Sequence, residues 1–227
     1  MAQNIPLSLV NKLHIESESE EKTRFCHIVG ASVFTAEAFL AKRGDLVIAA
    51  DAGLNNLRKI DAKADIILGD FDSLGFVPEG AILLPKEKDD TDTMYAIKLA
   101  MEKGFRYFIL HGCLGGRFDH SLANLQGLIH ISQKGGRGYL IGEGYAVAAI
   151  TNGEIRFAES AVGYISVFSG HETARGVNIV GLKYPLRDYS LQNSMPIGVS
   201  NEFAGQKSAV QVKDGTLLIV WQTGFLL

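Results

Sequence analysis

Ile66-Ile-Leu-Gly-Asp-Phe-Asp-Ser73 is a short apolar run that stops on two carboxylates, and Leu46-Val-Ile-Ala-Ala-Asp51 upstream stops on one. Runs of this length, bounded by Gly or Asp, read as buried strands. Working outward, residues 25–29, 81–84, 107–110 and 139–141 have the same character. Helix-period segments lie between them, at 35–42, 55–59, 92–103 and 119–131. Met94, Ile97 and Met101 recur at the spacing of one helical face, as do Leu122, Leu125 and Ile129. Alternation of near-continuous apolar strands with helices predicts an α/β layer with a largely parallel sheet over residues 24–143.

Beyond residues 142–144 the pattern changes. Short strands are expected at 146–150, 154–157, 164–168, 177–182, 199–203, 209–213 and 216–221, separated by Gly, Pro and Asn turns. That spacing predicts a small all-β sandwich over residues 144–227. Residues 1–23 read as an extension, because Glu16-Ser-Glu-Ser-Glu-Glu-Lys22 cannot bury itself.

Composition excludes several classes. With 227 residues, 47% hydrophobic and 21% charged, the chain is too apolar for disorder and long enough for two cores. A net charge of −3 announces neither nucleic acid nor an anionic membrane as partner. Cys26 and Cys113 lie far apart with no metal-type spacing, and read as buried thiols in a reducing compartment. No run approaches the ~20 apolar residues of a membrane span, and no secretory leader pattern opens the chain. A cytoplasmic protein is expected.

The chemistry lies where the carboxylates fall. Asp51, Asp70 and Asp72 all stand just past the predicted C-terminal ends of strands, the edge at which open α/β sheets bind ligands. If residues 69–73 are extended, Asp70 and Asp72 point the same way. Lys88-Asp-Asp-Thr-Asp92 opens a helix, with Asp90 or Thr91 as its cap and Asp92 in its first turn. Each group alone is an ordinary solvated turn or cap. Together they crowd like charges on one sheet edge, which favours a gathering cation, and hard oxygen ligands without His or Cys favour Mg²⁺.

The loop after residues 107–110 carries opposite chemistry. In His111-Gly-Cys-Leu-Gly-Gly-Arg-Phe-Asp-His120, the glycines Gly112, Gly115 and Gly116 permit close backbone approach. Arg117 offers a fork of donors, and the following helix start offers free amides to an anion. The spacing is neither that of a P-loop nor that of a dinucleotide fingerprint. Among the histidines only His120 is given a possible ligand role.

Five segments then become recognisable together: residues 69–73, 88–92, 115–120, Gly181-Leu-Lys-Tyr-Pro-Leu186 and Ser200-Asn-Glu-Phe203. Their order resembles that of the thiamine pyrophosphokinases, over residue 25 to the C-terminus. The resemblance implies transfer of the β,γ-pyrophosphoryl group of ATP to the hydroxyl of thiamine, yielding thiamine diphosphate and AMP. It implies an α/β catalytic domain, a β-sandwich domain and a homodimer with active sites between subunits. By motif, Asp70, Asp72 and Asp92 correspond to the Mg²⁺-handling carboxylates, with Asp51 as a supporting acid. Gly115, Gly116, Arg117, Asp119 and His120 fall in the ATP-contacting motif. Tyr184 takes the place of the aromatic ring that stacks on thiamine, where some relatives carry Trp. Ser200 and Asn201 match the other thiamine-side motif, and Lys88 lies where the first domain approaches substrate. Trp221 is expected to pack in the core. Two other classes compete: a glycosyltransferase using Asp-x-Asp with a metal, and a non-catalytic thiamine or nucleotide sensor.

Overall fold

The computed structural model of the 227-residue chain describes residues 13, 23–87 and 89–223. Five of the six strands expected in the first half form where the apolar runs predict, β1 (Phe25–Val29), β2 (Leu46–Ala50), β3 (Ile66–Gly69), β5 (Tyr107–His111) and β6 (Arg137–Ile141), with the sixth, β4, shortened to Ile82–Leu83. The helices are α1 (Gly53–Lys59), α2 (Asp92–Glu102) and α3 (Phe118–Gln133). Strands β1 to β6 pair in parallel in the order β6-β5-β1-β2-β3-β4.

The sheet does not stop at residues 142–144. Strand β7 (Tyr145–Thr151) turns back against β6 in antiparallel register, Tyr139 opposite Ala148. β14 (Thr216–Gln222), β9 (Tyr164–Ser169) and β12 (Asn201–Glu202) extend the sheet to ten strands. A separate antiparallel sheet, β11-β10-β13-β8, is built from β8 (Glu154–Phe157), β10 (Thr173–Val180), β11 (Leu186–Gln192) and β13 (Ser208–Gln211). The expected class, a parallel α/β layer followed by an antiparallel sandwich, is therefore observed. One wall of the sandwich is the continuation of the parallel sheet.

Between the two sheets Trp221 is buried as expected. Its ring meets Phe157 edge-on at 5.3 Å and Tyr139 at 6.4 Å, and its indole N–H donates to the Leu13 carbonyl at 2.9 Å. Burying each such ring contributes about 2–3 kcal/mol. Leu13 is itself buried there, so this residue of the expected extension joins the core.

Three local features depart from the sequence reading for identifiable reasons. Residues 35–42 form only one 3₁₀ turn, Ala36–Ala38, and Thr35 makes no capping bond. Phe34 and Phe39 pin the flanks by packing on His111 at 6.0 and 5.4 Å. The buried face of α3 is Asn124, Gly127, Leu128, Ile131 and Ser132; of the face named from periodicity, Leu125 and Ile129 pack half-buried on the flank of the core, and only Leu122, 47% exposed, turns to solvent. Strand β11 was not anticipated, because Leu186-Arg-Asp-Tyr-Ser-Leu-Gln192 is mostly exposed and Asp188 interrupts it at φ 47°. Among the described residues no helix is long and apolar enough to cross a membrane.

Candidate active site

The parallel strand order reverses between β1 and β5: the chain proceeds from β1 outward through β4, then returns to β5 on the other side. Such a switch leaves a crevice beyond the strand ends, because successive connections depart in opposite directions. A cleft of about 300 Å³ lies there. Its walls are Gly30, Ala31 and Ser32 after β1, Asp51 after β2, Ser73 beyond β3, Thr91, Asp92 and Thr93 at the start of α2, and residues of the loop from Gly112 to Arg117.

Asp51, Asp70 and Asp72 each offer a carboxylate oxygen, and the three lie within 4.8 Å of one another. The expectation of an extended segment at 69–73 is not met. Phe71 is left-handed at φ 57° with its ring buried, and this kink turns Asp70 and Asp72 toward one side. The Asp72 amide donates to Asp70 Oδ1 at 3.3 Å. Asp51 is also left-handed, at φ 48°, and its amide donates to the Leu68 carbonyl at 2.8 Å. A side chain at Gly69 would come within 3.0 Å of Asp51 Cα, so only glycine lets the β2 and β3 ends approach this closely. Asp51 Oδ1 is buried without a hydrogen-bond partner in the structure. An all-oxygen set with a buried, unsatisfied carboxylate oxygen fits a hard divalent cation.

Asp92 lines the same cleft in the first turn of α2, where Thr91 Oγ1 accepts from the Met94 amide at 3.1 Å as the expected cap. Asp90 instead pairs with Lys98 at 2.7 Å. On the opposite rim Gly115 and Gly116 adopt positive φ, and Arg117 and His120 line the cleft. Arg117 precedes α3 and pairs with exposed Asp119 at 2.6 Å. Hydrogen bonding to that guanidinium holds the Asp119 carboxyl down at about 2. Cys113 lies in the wall with its thiol pushed up to about 12 by burial, hence un-ionised; Cys26 is buried and raised likewise.

The remaining expected residues sit elsewhere. Tyr184 is 56% exposed, and Asn201 beside it is buried. Asn201 Oδ1 accepts from the Tyr184 amide at 3.0 Å and the Glu202 amide at 2.9 Å, while its Nδ2 donates to the Tyr184 carbonyl at 2.7 Å. Lys183 Nζ bonds Glu202 at 2.7 Å and lies 5.4 Å from the Tyr184 ring centroid. Ser200, left-handed at φ 58°, donates its amide to Ser166 Oγ at 3.1 Å. Lys88 lies outside the described residues.

Sequence reasoning passed over Gly30, Ala31, Ser32, Thr93 and Asn124, all in the cleft wall. The signal for the first three was present: they follow the apolar run of β1 just as Asp51 follows that of β2.

Both halves of the chain resemble known proteins. Residues 38–140 match the family model "Thiamin pyrophosphokinase, catalytic domain", and residues 153–217 match "Thiamin pyrophosphokinase, vitamin B1 binding domain". A thiamine pyrophosphokinase of Bacillus subtilis is 28% identical over 138 residues, a stretch covering 60% of this chain and 64% of that protein. A thiamin pyrophosphokinase of Caenorhabditis elegans is 25% identical over 190 residues, covering 76% of each chain. The fold is shared with the crystal structure of the Bacillus subtilis enzyme at a TM-score of 0.77 and 24% identity, over 88% of this chain and all of that one. The yeast enzyme superposes at a TM-score of 0.71 and 16% identity, over 98% and 92%. With both halves of one enzyme matched in order across most of its length, the chain belongs to the thiamine pyrophosphokinase family.

Proposed function

We propose that the chain transfers the β,γ-pyrophosphoryl group of ATP to the hydroxyl of thiamine, giving thiamine diphosphate and AMP, with Mg²⁺ as the cation. The observation that carries this reading is the gathering of Asp51, Asp70 and Asp72 within 4.8 Å beside a glycine loop that ends in Arg117. Asp51, Asp70 and Asp72, with Asp92 in the same cleft, would hold the cation. When bound there, Mg²⁺ supplies the positive charge that brings triphosphate oxygens to a carboxylate site. The residues do the positioning. Arg117 and His120 face the phosphates, Arg117 exchanging part of its pairing with Asp119 for phosphate oxygens, and Gly115 and Gly116 admit the nucleotide close to the backbone. Phosphoryl transfer through a loose transition state needs alignment and charge neutralisation more than covalent chemistry. The alcohol proton goes late in the reaction to Asp72 or Asp92.

Thiamine is a cation with flat rings, suited to the exposed face of Tyr184. Asn201 serves by fixing the Tyr184 backbone, and Ser200 and Lys88 complete the thiamine side. Residues 24–143 thus carry ATP and metal, and 144–227 carry thiamine. Strands β12 and β3 are eight positions apart in the sheet. At about 4.8 Å per strand that is roughly 38 Å, too far for one small substrate to span. A homodimer in which one protomer's Tyr184 segment faces its partner's carboxylates resolves the gap.

Mass analysis of products from ATP, Mg²⁺ and thiamine tests the reaction. Thiamine diphosphate with AMP is expected; ADP, or turnover of a sugar nucleotide instead, would overturn it. Light scattering under assay conditions tests the assembly, and an active monomer would refute it.

A further inference from the structure

Buried polar side chains that touch no substrate but hold the walls of a cleft set its shape. Asn56, on α1, is 4% exposed and lies outside the cleft lining. Its Nδ2 donates to the carbonyls of both Gly30, at 2.9 Å, and Ser32, at 3.0 Å, so both N–H groups of the amide serve one loop. Its Oδ1 accepts from Lys59 Nζ at 3.1 Å. The loop it holds interlocks with the opposite wall. The Gly30 amide donates to the His111 carbonyl and the Ser32 amide to the Gly112 carbonyl, both at 2.8 Å, and Ser32 Oγ donates to the Leu114 carbonyl at 2.6 Å. The two walls touch so closely that a side chain at Gly30 would come within 2.6 Å of the Gly112 carbonyl, and one at Gly112 within 2.5 Å of that of Gly30.

Asn56 also stands on the short helix that Asp51 leads into, with the Leu54 amide bonded to the Asp51 carbonyl at 3.3 Å. One carboxamide therefore ties the segment bearing a cation-side carboxylate to the loop forming the nucleotide wall. A hydroxyl can donate to only one of the two carbonyls, and a methyl to neither. Either loss leaves a buried or half-buried carbonyl unsatisfied and frees the wall to relax.

We propose that Asn56 is a positioning residue for the reaction, setting the distance between the Gly30–Ser32 wall and the Asp51 carboxylate and thereby the fit of the magnesium nucleotide. The inference rests on the ATP reading of the cleft. It does not depend on which phosphoryl group moves.

The test measures ATP·Mg²⁺ binding by calorimetry and steady-state constants for wild type, Asn56→Ser and Asn56→Ala, with circular dichroism on each. In Asn56→Ala the ATP Kd and KM should rise roughly ten- to hundredfold, the range found when supporting partners of a site are removed. The thiamine KM should stay within about twofold, and Asn56→Ser should fall between wild type and Ala. A role in folding alone would lower kcat through lost active protein while leaving both KM values and the ATP Kd of the folded fraction unchanged, and that result would overturn the proposal. So would equal increases in both KM values. If Asn56→Ala does not fold, Asn56→Ser decides on the same readouts. Wild type that binds ATP·Mg²⁺ without forming thiamine diphosphate would sink the reaction but leave the Kd comparison to decide here; wild type that binds no nucleotide overturns the positioning role as well.

Discussion

In the proposed reaction the acid cleft and the Tyr184 segment carry the two halves of the chemistry, and they are built on opposite plans. At the acid cluster, Asp51 and Phe71 are held left-handed at φ 48° and 57°, and Asp51 Oδ1 is buried without a hydrogen-bond partner in the structure. Non-glycine residues in that region cost on the order of 1 kcal/mol or more each, and clustered carboxylates add repulsion. Around Tyr184 the polar groups are already satisfied: Asn201 makes three hydrogen bonds and Lys183 is paired with Glu202. What that segment leaves open is the ring, 56% exposed. On the proposed reading, the cleft is a site whose electrostatics a cation balances. On the same reading, the Tyr184 segment is a finished platform for a flat ring.

The largest effect should follow from breaking the first plan. Asp72→Asn keeps the shape of the side chain but removes a charge from the gathered set. Turnover is expected to fall by at least about 10³-fold, the scale of losing charge stabilisation of several kcal/mol, while circular dichroism stays native. Near-normal activity would mean the acids are only a solvated turn. Breaking the second plan should cost less and show a different signature. Tyr184→Ala removes a cation–ring contact of about 1–2 kcal/mol, so the thiamine KM should rise roughly tenfold with the ATP KM little changed. A matched rise in both would make Tyr184 a packing residue rather than a platform.

The same contrast separates what could be read in the sequence from what could not. Asp51, Asp70 and Asp72 were legible because an apolar run that stops on a carboxylate marks a strand end, and strand ends share an edge. How Asp70 and Asp72 come together was not: the left-handed turn at Phe71 is invisible in a pattern that alternates like a strand. Gly30, Ala31 and Ser32 were missed because they carry no charge to draw attention, although they occupy the same edge. Residues 35–42 looked helical locally, and aromatic packing on His111 overrode that preference. Continuity of the sheet from β6 into β7 could not be foreseen, because a change of strand rhythm at residues 142–144 says nothing about pairing. Asn201 was named by motif, but its clamp on the Tyr184 backbone depends on a contact between segments seventeen residues apart.

The smallest effect concerns the floor behind the cleft and sharpens the contrast from the side of stability. His111 precedes the glycine loop, is buried, and lies 3.1 Å from His27 Nδ1 through its Nε2. Burial, aided by His27, pushes its pKa well below that of an ordinary imidazole. The unfolded chain, with an imidazole near about 6.5, then binds a proton that the folded chain refuses, so stability is lost as pH falls below that value. Asp45, 3.4 Å from His27 Nε2, has the same sign in a lower window. Burial raises its carboxyl, but His27 and the Phe25 and Lys42 amides more than offset this, so its contribution is lost only as pH falls below about 4. His130, nearer solvent and lowered by burial and by Lys134 and Lys98, adds a weaker slope of the same sign. Each pH unit of difference is worth about 1.4 kcal/mol, or roughly 3–6 °C for a chain of this size. Tm should therefore decline by a few degrees from pH 7 to pH 5, and His111→Gln, which cannot take up a proton, should remove most of that decline while His130 remains. Equal slopes in the two proteins would show that the acid sensitivity does not come from the imidazole behind the cleft.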